Sequence, residues 1–112
     1  MIRKAVVSGE FYPGDKDSLM LNLEKLMPLA ESKYNAMGII SPHAGYMYSG
    51  LVAGKVFASI EPKETYIILG PNHTGQGAEF AISQESWETP LGKVDLDHEL
   101  IEKIKKQTNL IK

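Results

Sequence analysis

The sequence predicts an α/β fold with a mixed, largely parallel sheet, and three observations carry that prediction. Met37-Gly38-Ile39-Ile40 and Thr65-Tyr66-Ile67-Ile68-Leu69 are short apolar runs without polar alternation, the pattern of strands covered on both faces. Between them Leu51, Val52, Val56 and Ile60 recur at helical spacing. Strand, helix, strand over residues 37–69 is a βαβ unit, whose crossover is right-handed and whose strands are parallel.

The remaining elements follow in order. Ile2–Val7 reads as a short extended segment, stopped by the turn residues Ser8-Gly9-Glu10-Phe11-Tyr12-Pro13-Gly14. Asp15 or Asp17 caps a helix over about residues 16–31, whose stripe is Leu19, Leu23, Leu26 and Ala30. Pro28 falls near its end. After the 37–40 run comes the loop Pro42–Tyr48, then a helix capped by Ser49. Its Gly50, Ala53, Gly54 and Ala58 keep one side slim enough to pack closely on a sheet. Pro62 ends it, and Gly70-Pro71-Asn72-His73-Thr74-Gly75 stops the 65–69 strand. Phe80-Ala81-Ile82 is a further candidate strand. Trp87–Gly92 reads as a loop or edge, because Pro90 disfavours a central strand. Asp97 caps a last helix through Leu100, Ile101 and Ile104, ending near Lys106.

Composition bounds the function. A chain of 112 residues, 43% hydrophobic and 23% charged, is one ordered globular domain. Twelve basic residues stand against fourteen acidic ones, a net charge of -2. That balance lacks the basic excess of a nucleic-acid binder. Without cysteine there is neither a disulfide framework nor a thiolate metal cage. No apolar run approaches the roughly 18 residues of a membrane span, so no membrane partner is expected. Met1-Ile2-Arg3-Lys4 leads into too short an apolar stretch for a signal peptide, so a cytoplasmic location is expected.

The βαβ unit makes a sharp statement about His43 and His73. Each follows the C-terminal end of a predicted parallel strand, the edge at which open α/β sheets bind ligands. Neighbouring strands lie about 4.8 Å apart, so the two imidazoles can meet at one metal ion. Neutral imidazole suits zinc, copper, iron and nickel. Asn72, Ser41 and Thr74 are placed to orient the rings through hydrogen bonds, and Tyr46 and Tyr48 to line the pocket. His98, among Asp95, Asp97 and Glu99, reads as a solvated residue at a helix start. Trp87 reads as a packing residue.

Four blocks then invite comparison: Ser8-Gly9 with Phe11-Tyr12-Pro13, Ser41-Pro42-His43-Ala44-Gly45-Tyr46-Met47-Tyr48-Ser49-Gly50, Leu69-Gly70-Pro71-Asn72-His73, and Trp87-Glu88-Thr89-Pro90-Leu91-Gly92. In order and spacing they resemble the Memo family, protein B of the AmmeMemoRadiSam system. The resemblance implies the fold of class III extradiol dioxygenases, an α/β sandwich around a mixed sheet. It matches His43 and His73 to metal-site histidines, and Phe11 and Tyr48, with Tyr46 beside them, to aromatic residues of the pocket. It implies a divalent metal, iron or copper in preference to zinc. Family members are more than twice this length, so residues 1–112 correspond to the N-terminal part of a Memo-like domain. Two explanations are open, a piece of a longer protein or a short member that completes its sheet by oligomerising.

Three functions follow. The first is a non-haem metal-dependent oxidoreductase with a metal-binding cleft at the C-terminal edge of the sheet. A facial triad needs a carboxylate besides two histidines, and Glu10 is the nearest candidate. The second is a non-catalytic module holding a peptide or small molecule in the cleft of Phe11, Tyr46, Tyr48 and Asn72. The third is a metal-dependent hydrolase, for which no general base is identified. No catalytic residue is assigned. Walker, dinucleotide-binding and Gly-x-Ser-x-Gly patterns do not occur.

Overall fold

A computed structural model describes residues 1–112. Three helices and one three-stranded mixed sheet make the chain α/β. In chain order the elements are β1 (Ile2–Arg3), α1 (Lys16–Leu26), α2 (Tyr46–Ala58), β2 (Ser86–Thr89), β3 (Gly92–Val94) and α3 (His98–Gln107).

Local chemistry accounts for the helices. Asp15 is the N-cap of α1, its carboxylate accepting from the Ser18 N–H at 2.9 Å. The helix stops at Leu26, earlier than the expected residue 31. Pro28 pushes the residue before it out of the helical region, and Met27 sits at φ -109°, ψ 84°. Asp97 caps α3 by accepting from the Leu100 N–H at 2.9 Å. The Ser49 cap expected for α2 is corrected: α2 begins at Tyr46, and Gly45 is the N-cap with no side-chain bond. Ser49 lies inside the first turn and its hydroxyl donates back to the Ala44 carbonyl at 2.9 Å. One free N–H of this helix start is satisfied from elsewhere, because Tyr46 donates to the Phe11 carbonyl at 2.7 Å.

The glycines of α2 receive α1 rather than a sheet. A Cβ on Gly50 would lie 2.9 Å from Leu26 Cδ1. A Cβ on Gly54 would overlap the Leu26 carbonyl oxygen and lie 2.7 Å from its carbon. The backbone end of α1 is thus seated on α2 where no side chain stands.

The sheet has the order β1-β2-β3. β1 pairs parallel with β2 (Ile2 with Ser86, Arg3 with Trp87), and β2 antiparallel with β3 (Trp87 with Val94, Thr89 with Gly92). The parallel pair is joined through α1 and α2, so a strand–helix–strand connection is present. Of Trp87–Gly92, expected as a loop or edge, Trp87–Thr89 lies in the central strand β2 instead and Gly92 opens the edge strand β3. Pro90 escapes the ladder by falling in the turn after Thr89, where its fixed φ is an asset. The Arg3 guanidinium lies over the Trp87 ring, 4.5 Å from its centroid.

Residues 37–40 and 65–69, expected as the parallel strands of the βαβ unit, are not in strands. A strand exists through its ladder, and neither segment makes a backbone hydrogen bond to another. Their side chains stand in solvent, with Ile40 95% and Leu69 92% exposed. Phe80–Ile82 also lies outside a named strand, but its backbone is paired. Ile82 N–H donates to the Lys112 carbonyl and Lys112 N–H to the Phe80 carbonyl, both at 2.9 Å. The core is correspondingly thin. Leu19, Ala58 and Ile101 are its buried apolar residues, and the accessible surface is 9368 Å², against about 6,100 Å² for a compact chain of this mass.

Candidate metal centre

Two loops build the site. The first runs from Ser41 to Gly45 and is tied down at its end by the start of α2. The second, residues 70–76, is organised by one side chain. Asn72 Oδ1 accepts from Thr74 N–H at 3.1 Å, Thr74 Oγ1 at 2.9 Å and Gly75 N–H at 3.1 Å, while Nδ2 donates to the Gln76 carbonyl at 2.7 Å. Gly75 takes φ 68°, the left-handed region that glycine occupies without strain.

These loops bring His43 and His73 together. Their Nε2 atoms are 3.2 Å apart and their ring centroids 5.3 Å, with 41° between planes. Both rings are exposed. No third histidine, cysteine, aspartate or glutamate joins them, so Glu10 does not complete a triad. His98, the first residue of α3, stands exposed.

The other candidate residues divide. Phe11, Tyr46 and His43 line one open cavity of about 490 Å³ between α1 and α2. Tyr48 does not, and is 81% exposed. Asn72 hydrogen-bonds to neither imidazole, its side chain being spent on its own loop. Ser41 donates to the Pro42 carbonyl and Thr74 bonds Asn72, so neither orients a ring. Tyr12 was not singled out by the sequence, yet it lines the cavity and packs on Tyr46 at 5.7 Å between ring centroids. Its place in the Phe11-Tyr12-Pro13 turn was the available signal. Burial, then the neighbouring Tyr12, raises the Tyr46 phenol above its ordinary value of 10.0, so it stays protonated at neutral pH.

Comparison with known proteins bears on the same residues. The family model described as Memo-like protein matches residues 3–112, a span that holds both histidine loops, the Phe11–Tyr12 turn and the β2–β3 hairpin. The chain belongs to the Memo-like family. Curated Memo relatives agree. A MEMO1 family protein of Aquifex aeolicus is 45% identical over 94% of this chain and 40% of its own length. One from Archaeoglobus fulgidus is 43% identical over 94% of this chain and 40% of its own. One from Methanosarcina mazei is 44% identical over 88% and 38%. The Memo-like chain thus spans about two fifths of the length of the curated relatives it matches. No helix in it is long and apolar enough to cross a membrane.

Proposed function

We propose that His43 and His73 of this Memo-like chain are two ligands of a divalent metal, iron or copper, in a cleft serving a metal-dependent oxidoreductase. The observation that carries the proposal is the 3.2 Å approach of the two Nε2 atoms. The donor set fits. Two imidazole nitrogens about 2.1 Å from a common ion, the usual bond length, and 3.2 Å from each other subtend about 100° at it. That angle lies between tetrahedral and octahedral values. The same distance suits one N–H···N bond between neutral imidazoles, which holds the pair together without metal.

When bound, the ion would supply Lewis-acid or redox chemistry. The chain's own contribution is to hold the two rings on loops stiffened by Pro42, Pro71 and the Asn72 bonds, and to set His43 among the residues that line the cavity. A facial triad needs a carboxylate in addition, and none stands within these residues. The remaining positions are open to water, substrate or a donor outside residues 1–112. Residues 1–112 are accordingly read as the N-terminal part of one Memo-like domain.

The lone pair of histidines also favours a second reading, a module that holds a small molecule or peptide without chemistry. A hydrolase is less well supported, since no general base stands beside the pair. Titration of Fe(II), Cu(II) and Zn(II) into wild type and a His43→Ala/His73→Ala variant tests the first reading. Saturable binding lost in the variant is expected, and equal weak binding by both overturns it. Ligand binding indifferent to a chelator would favour the second.

A further inference from the structure

The two loops of the histidine pair are held in different ways. Every hydrogen bond of residues 70–76 stays within that loop, apart from the contact of the His73 ring with His43. The Asn72 bonds give the loop its shape without joining it to the helices. Hydrogen bonding therefore ties the pair to the helical scaffold from the His43 side alone.

On that side the backbone of residues 41–44 makes no hydrogen bond to other backbone, and Ser41 bonds only its neighbour Pro42. One bond reaches them from a helix: the Ser49 hydroxyl donates to the Ala44 carbonyl at 2.9 Å. Ser49 is the one buried polar side chain, 8% exposed. A serine inside a helix ordinarily bonds the carbonyl four residues back. Here that carbonyl, of Gly45, already accepts the Tyr48 and Ser49 N–H groups, and the hydroxyl reaches one residue further, out of α2 and into the histidine loop. The helix it reaches from is itself seated, on the end of α1 at Gly50 and Gly54 and on the Phe11 carbonyl at Tyr46. Peptide units are planar, so a held carbonyl fixes the Ala44–Gly45 plane. Only the dihedrals of Ala44 and His43 then remain between the scaffold and the imidazole.

We infer that Ser49 is the positioning residue of the pair: by holding the Ala44 carbonyl, its hydroxyl sets the His43 ring against His73 at the spacing a shared metal needs. The inference rests on the metal reading for the ion, and on the chain's own hydrogen bonds for the placement.

The test compares wild type with Ser49→Ala, Ser49→Thr and Ser59→Ala. The last removes a matching bond at the far end of α2, where the Ser59 hydroxyl donates to the Val56 carbonyl at 2.7 Å. With a chelator present, nuclear Overhauser cross-peaks between the His43 and His73 ring protons are expected in wild type, Ser49→Thr and Ser59→Ala, and lost in Ser49→Ala. With Cu(II) added, Ser49→Ala should bind about fivefold more weakly, the effect of one net hydrogen bond. Its copper hyperfine splitting by electron paramagnetic resonance should change, and that of the other two variants should match wild type. Circular dichroism confirms that each variant keeps its helices. The inference is overturned by cross-peaks that persist in Ser49→Ala, by an unchanged copper spectrum in that variant, or by the same changes in Ser59→Ala. If Ser49→Ala does not fold, Ser49→Thr decides, because a folded variant that keeps the hydroxyl and loses the cross-peaks overturns it equally. Cross-peaks lost in Ser49→Ala while wild type binds no copper sink the metal reading and leave the role of Ser49 standing.

Discussion

The Nε2 atoms of His43 and His73 lie 3.2 Å apart although thirty residues separate them. A metal held there takes the lone pairs that protons also claim, so binding releases protons. Affinity should therefore fall as pH is lowered, and either His→Ala substitution should weaken binding at least tenfold. Calorimetric titration in buffers of different protonation enthalpy checks both points. Proton-independent binding would put the metal elsewhere.

Asn72 acts on the pair at one remove. Asn72→Ala removes four hydrogen bonds that shape residues 72–76. Metal affinity should fall about tenfold, the lower end for groups behind the ligands, with helix content unchanged. Asn72→Asp keeps an acceptor for Thr74 and Gly75 but loses the bond to Gln76, so an intermediate affinity is expected.

Gly54 should tolerate no side chain. The atoms it would meet belong to the Leu26 backbone, which cannot swing aside as a flexible side chain does. Gly54→Ala should cost about 1–3 kcal/mol, the range for overpacking. Gly38→Ala, with nothing within 4 Å, should be close to neutral. Urea unfolding of the two variants separates them.

Acid should fray α1 and α3 from their N-termini. The Ser18 backbone N–H holds the Asp15 carboxyl below its ordinary 3.8. The Leu100 N–H, then the Thr65 hydroxyl, do the same for Asp97. A depressed carboxyl contributes stability above its unfolded value and loses it as pH falls through the folded one. Helix content should thus hold at neutral pH and decline below 3.8. An Asp15→Asn/Asp97→Asn variant should show a flatter acid limb by circular dichroism. An unchanged limb would assign the acid loss to other groups.

The Arg3–Trp87 stack joins β1 to the central strand. Trp87 is the sole tryptophan, so fluorescence reports it directly. Arg3→Ala should cost about 0.5–1 kcal/mol and make Trp87 more accessible to acrylamide. Unaltered quenching would mean that the Ser83 bond to Nε1 alone holds the indole.

Much of the helical structure was legible because its causes are local. Asp15 and Asp97 cap the helices that follow within three residues, and Pro28 stops α1 two residues before itself. Ser49 misled because its hydroxyl has two uses near a helix start, and the Phe11 carbonyl, thirty-five residues before Tyr46, accepts the Tyr46 N–H instead. Trp87–Thr89 misled because Pro90 is compatible with a strand that ends one residue earlier.

The sequence by itself determined three helices, the Asp15 and Asp97 caps of two of them, the Memo-like blocks and the two histidine loops, all of which depend on neighbours a few residues apart. Tertiary structure alone decided what those features meet. Ile39, Ile40 and Ile67–Leu69 carry strand propensity, but a ladder needs a second backbone, and here they find none. Gly50 and Gly54 announce a close approach, but only packing shows that Leu26 makes it. His43 and His73 can be matched by motif, yet their convergence is a sum of turns contributed by α2, Pro71 and Asn72. Non-local distances of that kind are set by packing and backbone pairing, and no spacing along the chain encodes them.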